Sequence, residues 1–324
     1  MPVESEFKPA WWLRNPHMQT LWPRFMRRQE PLPLRSERLE LPDGDFVDLA
    51  WSNVGNGSIV VVFHGLEGGA ASPYAQGILR AVGRRGWHGV LMHFRGCSGE
   101  LNRLPRSYHS GETGDIAYFI GVLRERYPKV PIAAIGYSLG GNVLLKYLGE
   151  RGGNAGLAAA VAVSVPFLLG DSADRLDRGF SRFYQKLLLT SLKLKTEAKF
   201  KRMPSPVPLD GVASCRSFRQ FDDLVTAPLH GFKNAAEYYA RSSSRQYLRG
   251  IAIPTLILHS ADDPLMTPAV IPTDAELAPC VRFELSNGGG HVGFVTGTWP
   301  WAERYWLEER IPRFLTDYLA PTRQ

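Results

Sequence analysis

A serine hydroxyl becomes a useful nucleophile only when a base takes its proton, and the chain offers one serine in a setting made for that task. Ser138 lies in Gly136-Tyr137-Ser138-Leu139-Gly140, the only G-x-S-x-G in the sequence. An apolar run, Ile132-Ala133-Ala134-Ile135, precedes it, and Val143, Leu144, Tyr147 and Leu148 follow at helical spacing. The pattern predicts a strand, a sharp turn and a helix, with Ser138 held at the apex. Gly136 and Gly140 would supply the clearance and backbone freedom that such a turn needs. The start of the helix would aim its N–H groups at negative charge developing beside the serine.

Such a serine needs a histidine, and the histidine needs an orienting carboxylate. In one recurrent chain order the serine, the acid and the histidine each stand just past a strand. Of the eight histidines only His291 follows the last predicted strand, in Asn287-Gly288-Gly289-Gly290-His291. A loop so rich in glycine can carry an imidazole over the carboxyl edge of a sheet. The acid is expected after the strand ending near His259, where Asp262 and Asp263 stand side by side before Pro264. One of the two would be the orienting acid and the other a turn-capping residue. Two preorganised N–H groups must receive the oxyanion. They are assigned to Leu139, the residue after the nucleophile, and to Leu66, in the loop His64-Gly65-Leu66-Glu67-Gly68-Gly69 after an earlier strand. His64 is read as an anchor of that loop. Cys97 has no adjacent acid–base order that would make it a nucleophile.

The elements that must position these groups follow from periodicity. Ile59-Val60-Val61-Val62-Phe63 is uninterrupted and β-branched, as in a strand buried on both faces of a parallel sheet. Strands at 89–94, 132–135, 157–165, 255–258 and 281–285 alternate with helical patterns such as Ile116, Phe119, Ile120 and Leu123. Residues 38–41 and 46–51 flank Pro42-Asp43-Gly44-Asp45, a hairpin signal. The fold class is α/β: a mostly parallel sheet, helices on both faces and a helical lid insertion. The core is assigned to 37–165 and 250–324, the lid to 166–249, and an N-terminal arm to 1–36. The arm carries Trp11, Trp12, Trp22 and a basic patch at Arg24, Arg27 and Arg28. So many aromatics predict packing against the body.

Composition narrows the function classes. Hydrophobic content of 44% and charged content of 21% describe an ordinary globular protein. The net charge of +7 would suit an acidic partner, yet no basic block, zinc-ligand spacing or RNA-binding motif accompanies it, so no nucleic-acid role is expected. Cys97, Cys215 and Cys280 are widely spaced and odd in number, hence expected to be reduced thiols. The N-terminus lacks the apolar stretch of a signal peptide, and the longest apolar run, Gly156–Gly170, is 15 residues, short of a membrane span. The expected compartment is therefore the cytoplasm. Residues 171–202 hold nine Lys/Arg against four Asp/Glu, so peripheral contact of the lid with an anionic membrane surface is a further expectation.

H-G-L at 64–66, R-G-C-S-G at 95–99, G-Y-S-L-G at 136–140, D-D-P at 262–264 and G-G-H at 289–291 occur in an order that resembles the α/β-hydrolase superfamily. N-P-H-M-Q-T at 15–20, H-G-L-E-G at 64–68 and G-G-H-V-G-F at 289–294 resemble the YheT-like family of hydrolases. Its relatives include eukaryotic membrane-associated lipases and yeast enzymes that make and cleave medium-chain ethyl esters. The resemblance implies a triad of Ser138, Asp263 and His291, with the acid placed directly before the proline. Nothing in such a mechanism requires a metal or organic cofactor, and the membrane helix of the eukaryotic relatives has no counterpart here. His17 recurs in the family segment and is read as an arm anchor or a substrate-side residue. The R-G-C-S-G segment is expected to shape the pocket. The function that follows is a serine esterase acting on a small-molecule acyl ester of short or medium chain, through an acyl-enzyme. An acyltransferase with an alcohol acceptor is the alternative. A non-catalytic binding protein is the more distant one, disfavoured because a binding module has no need of all three groups in order.

Overall fold

The computed structural model describes residues 3–27, 32–52 and 57–319; Arg28 of the arm's basic patch lies outside them. Among these residues nine strands make one sheet: β1 (Val3–Glu4), β2 (Leu34–Glu40), β3 (Phe46–Ser52), β4 (Ile59–Phe63), β5 (His88–Met92), β6 (Ile132–Tyr137), β7 (Ala159–Val163), β8 (Thr255–Ser260) and β9 (Val281–Ser286). Their order is β1-β9-β8-β7-β6-β4-β5-β3-β2. Every pairing from β1 to β5 is parallel, and the β2–β3 hairpin closes the other edge antiparallel. A small ribbon, β10 (Val295–Thr296) against β11 (Arg304–Tyr305), follows the sheet.

The buried run in β4 divides by strand alternation. Ile59, Val61 and Phe63 belong to one core cluster and Val60 and Val62 to the other. Helix α1 (Pro16–Phe25) belongs to the arm. Helix α2 (Pro73–Gly83) contributes Ile78, Leu79 and Val82 to the second cluster. Helices α3 (Gly114–Arg126) and α4 (Leu139–Arg151) contribute Ile116, Phe119, Val143 and Leu144 to the first. Both faces of the sheet are thus covered, which is why the central strands carry no alternating polar residues.

Between β7 and β8 the chain forms no strand. It forms α5 (Leu169–Leu176), the long α6 (Ser181–Phe200), α7 (Phe218–Phe221), a π turn at Asp222–Thr226, α8 (Ala227–Leu229) and α9 (Ala235–Ser242). Leu169, Ala173, Leu176, Tyr184 and Tyr238 give this segment a small core of its own. The closing helix, α10 (Leu307–Leu319), buries Ile311, Phe314 and Leu315 beside α2. Among the described residues no helix is long and apolar enough to cross a membrane.

Two boundaries differ from the sequence reading. The arm does not merely pack: Val3 and Glu4 add a parallel strand beside Glu284 and Leu285 of β9. An uncovered edge strand leaves a row of unpaired backbone groups, and the start of the chain satisfies part of it. At the other end, β2 begins at Leu34, opposite Ser52, so the hairpin reaches back into the stretch assigned to the arm.

R-G-C-S-G works differently from expectation. Its Arg95 is buried and joins Asp43 and Asp45 of the hairpin turn to Asp115 at the start of α3, at 2.7–3.0 Å. Ser98 donates to Asp48 of β3 at 2.6 Å. The segment fastens the edge hairpin to the core, because a buried guanidinium must be matched by carboxylates on every side.

Candidate active site

β6 delivers the chain to Tyr137, and Ser138 then takes φ 51° and ψ −118°, left-handed backbone in a non-glycine residue. Such a conformation costs about 1–3 kcal/mol and persists only where the surroundings enforce it. Here they do: the Ser138 N–H donates to the Val163 carbonyl at 2.8 Å, and its own carbonyl accepts from Asn142 at 3.0 Å. Gly136 and Gly140 have no positive φ, so what they supply is clearance alone. A Cβ on Gly136 would lie 2.5 Å from the Gly140 carbonyl oxygen, and one on Gly140 2.4 Å from that of Phe63.

His291 arrives from the loop after β9. Its Nε2 is 2.9 Å from Ser138 Oγ, and its Nδ1 is 2.8 Å from Asp263 Oδ2. The imidazole is 11% exposed and the Asp263 side chain 2%, so little water competes for the pair. Burial alone would push the Asp263 carboxyl up. The facing His291, their hydrogen bond, His259 and the Leu265 amide outweigh it and hold the group below its ordinary value. The carboxylate therefore stays ionised, facing Nδ1, with Nε2 turned to the serine. The two aspartates separate cleanly in space. Asp262 accepts from the Ser260 hydroxyl and, at 2.9 Å, from the Gly290 N–H, so it ties the histidine loop to the end of β8 and does not meet the imidazole.

The loop after β4 lies against the serine; a Cβ on Gly65 would stand 3.4 Å from Ser138 Cβ. His64 is fully buried there. One ring nitrogen meets the Gly65 carbonyl at 2.7 Å, and the other accepts from the Phe94 N–H at 3.1 Å. Burial lowers its pKa to about 3, so the ring is neutral and joins the loop to the end of β5. The N–H groups of Leu66 and Leu139 meet no acceptor among the described residues. Leu139 opens α4, where first-turn N–H groups have no intrahelical partner.

Several contacts around the site were not legible beforehand. Glu67, in the loop of Leu66, takes φ 55° and is clasped from three directions. Tyr108 donates to it at 2.8 Å, Ser191 at 2.7 Å and Lys195 at 2.7 Å. Ser191 and Lys195 both belong to α6, whose first residue, Ser181, donates to the Pro264 carbonyl beside Asp263 at 2.5 Å. Three of the nine cations counted toward contact with an anionic surface are therefore turned inward. Lys195 meets Glu67, Lys193 meets the carbonyls of Ala213 and Cys215, and Lys199 meets those of Leu104, Pro105 and Arg106. Burial lowers the Lys199 pKa to about 8. Burial also pushes the Cys97 thiol up to about 11, which leaves it protonated and a poor nucleophile. His17 reaches α6 as well: its Nδ1 is 3.1 Å from the Tyr184 hydroxyl, and its ring stands 4.5 Å from that of Phe180.

An alpha/beta hydrolase fold family model matches residues 58–298. The chain is 48% identical to YheT, an esterase candidate of Escherichia coli (strain K12), over 97% of this chain and 94% of that one. It is 29% identical to human "Phospholipase ABHD3", over 94% of this chain and 77% of the relative. It is 31% identical to the "Monoacylglycerol lipase" of Saccharomyces cerevisiae, over 79% and 58% respectively. Among solved structures, the Pyrococcus furiosus esterase Pf2001 superposes with a TM-score of 0.60 at 17% identity, covering 97% of this chain and all of that one, a likeness of fold.

Proposed function

Because the chain belongs to the α/β-hydrolase family, on its YheT-like branch, we propose that this hydrolase is a serine esterase that cleaves carboxylic esters of short or medium apolar acyl chains. The observation that carries the reading is the continuous relay from Ser138 Oγ through His291 to Asp263, at 2.9 and 2.8 Å. Ser138 attacks the ester carbonyl carbon while His291 Nε2 takes the hydroxyl proton. The carbonyl oxygen becomes an oxyanion, received by the N–H groups of Leu139 and Leu66. Collapse expels the alcohol, which leaves with the proton from Nε2, and the acyl group stays on Ser138. Water then attacks with the same assistance and releases the acid. Asp263 keeps the Nδ1 proton in place throughout.

The apolar acyl preference is supported by the surroundings. Leu66 of the oxyanion loop, Leu265 of the acid turn and Leu21 of the arm pack on one cluster with Leu169, Leu176 and Tyr184. The helical segment 166–249 would then be a cap over the acyl chain. Relatives named as a phospholipase and a monoacylglycerol lipase make a lipid ester the natural place to look. An alkyl fluorophosphonate tests the chemistry: one adduct on Ser138 is expected by intact mass and peptide mapping, and a folded protein that takes no label would remove the reading. Nitrophenyl esters of graded acyl length should then show faster turnover for short and medium chains than for long ones. Adding an alcohol decides whether it competes with water for the acyl group.

The anionic-surface contact is proposed for one face of the first turns of α6 and the turn that leads into it. Phe180, Phe183 and Leu187 are 52%, 40% and 44% exposed there. Arg178, Arg182 and Lys186 stand exposed among them, with no carboxylate partner among the described residues. Each such cation near an anionic surface contributes about 1 kcal/mol. Co-sedimentation with phosphatidylcholine vesicles should be weak, should rise when phosphatidylglycerol is included and should fade with salt. Equal binding to both vesicles would exclude an electrostatic contact.

A further inference from the structure

We infer that α1, the helix of the N-P-H-M-Q-T segment, positions the catalytic base: the Thr20 hydroxyl and the Gln19 carboxamide hold the loop that aims His291 at Ser138. The inference rests on the reading of His291 as the base and adds to it what keeps that base in place.

The His291 loop would not keep its shape unaided. Gly289, Gly290, Val292 and Phe294 have φ of 139°, 59°, 62° and 45°. Left-handed backbone is least tolerable in a β-branched residue such as Val292, which is the immediate neighbour of His291. Loops of this kind persist only when their surroundings over-determine them, and α1 supplies much of what does so. The His291 N–H donates to Thr20 Oγ1 at 2.9 Å, while the same hydroxyl donates to the Pro16 carbonyl at 2.8 Å. That second bond turns the oxygen's lone pair toward the loop. Gln19 is fully buried and uses its oxygen and both its N–H groups: Oε1 accepts from the Val295 N–H at 2.7 Å, and Nε2 donates to Val295 and Leu13 carbonyls at 2.9 and 2.8 Å. Asn15 starts the helix, accepting from the N–H groups of His17 and Met18.

The approach is close enough to demand glycine on the loop side. A Cβ on Gly290 would stand 2.5 Å from the Pro16 carbonyl oxygen, and one on Gly293 2.1 Å from that of Gln19. Two segments separated by most of the chain thus fit backbone to backbone, with the base between the contacts. A base displaced by about 1 Å loses rate on the order of 10²-fold, because proton transfer depends on heavy-atom distance. The motif's asparagine, glutamine and threonine each act on the loop through the helix, and none needs to touch substrate.

Thr20→Val and Thr20→Ser separate this role from simple packing. Valine keeps the shape and removes the oxygen; serine keeps the oxygen and loses the methyl. Thr20→Val should lower kcat about 10- to 100-fold with KM within about twofold, and Thr20→Ser should recover most of it. Fluorophosphonate labelling of Ser138 should slow in step with kcat. Amide exchange across residues 288–294, read by mass spectrometry, should be faster in Thr20→Val than in Thr20→Ser. The reverse ranking, or a valine variant as fast as wild type, would overturn the inference. Gln19→Met offers a second disruption of the same loop, read by the same exchange if Thr20→Val does not fold, and unchanged exchange there would also overturn it. A wild-type protein that takes no label would instead count against the Ser138–His291 reading, so the two failures are distinct.

Discussion

Replacing Ser138 with alanine is expected to lower ester turnover by about 10⁴-fold or more, in line with removal of the nucleophile from other triads. The remaining acceleration over water would come from binding and from the N–H groups that await the oxyanion. Alanine leaves the backbone at φ 51° and keeps the bonds to Val163 and Asn142, so the fold should survive the change. Equal far-ultraviolet circular dichroism and similar Tm in the two proteins would establish that the loss is chemical. A loss of less than about tenfold would mean that another group makes the attack.

Asp263→Asn should cost nearly as much, about 10⁴-fold in kcat, for a reason of tautomer rather than charge alone. An asparagine can present its amide N–H to His291 Nδ1. The imidazole proton then sits on Nε2, which faces Ser138 Oγ and can no longer accept the hydroxyl proton. Asp262→Asn keeps an oxygen for the Gly290 N–H and should cost about tenfold or less, through loosening of the loop. Reversal of that ranking would return the acid's role to Asp262. The Asp263 carboxyl also gives pH dependence a sign. Its folded pKa lies below its ordinary value, so its stabilising pairing is complete above the ordinary carboxylate range. The pairing is lost as pH falls through the lowered folded value, and denaturant midpoints in acid should reflect this in wild type and not in Asp263→Asn.

What could be read from sequence was whatever neighbours in sequence determine. Ser138 was legible as a candidate because strand, turn and helix are contiguous, and His291 because its loop follows the last strand; the structure brings the two within 2.9 Å. Spacing alone did not tell the aspartates apart, since they are adjacent; only the resemblance pointed to Asp263, directly before Pro264, and the direction of each side chain is not written in the sequence. The partners of Glu67 were out of reach for another reason. Ser191 and Lys195 lie 124 and 128 residues further on, and a helix of mixed charge looks alike whether its lysines face water or a buried carboxylate. Arg95 illustrates the same limit, since nothing local tells a pocket residue from one that faces three aspartates. The edge strand at Val3–Glu4 is two residues long, too short for any periodicity to register.

The bond between Thr20 and His291 spans 271 positions of the chain. A contact so distant in sequence cannot form before the whole of the chain between its partners exists. During synthesis α1 leaves the ribosome long before the loop after β9, so Gln19 and Thr20 have no partner in that loop until it has been made. The serine elbow, by contrast, can assemble from a continuous stretch of chain. If His291 is the base, activity waits on the last part of the core to be made, and a fragment ending before residue 291 should show none.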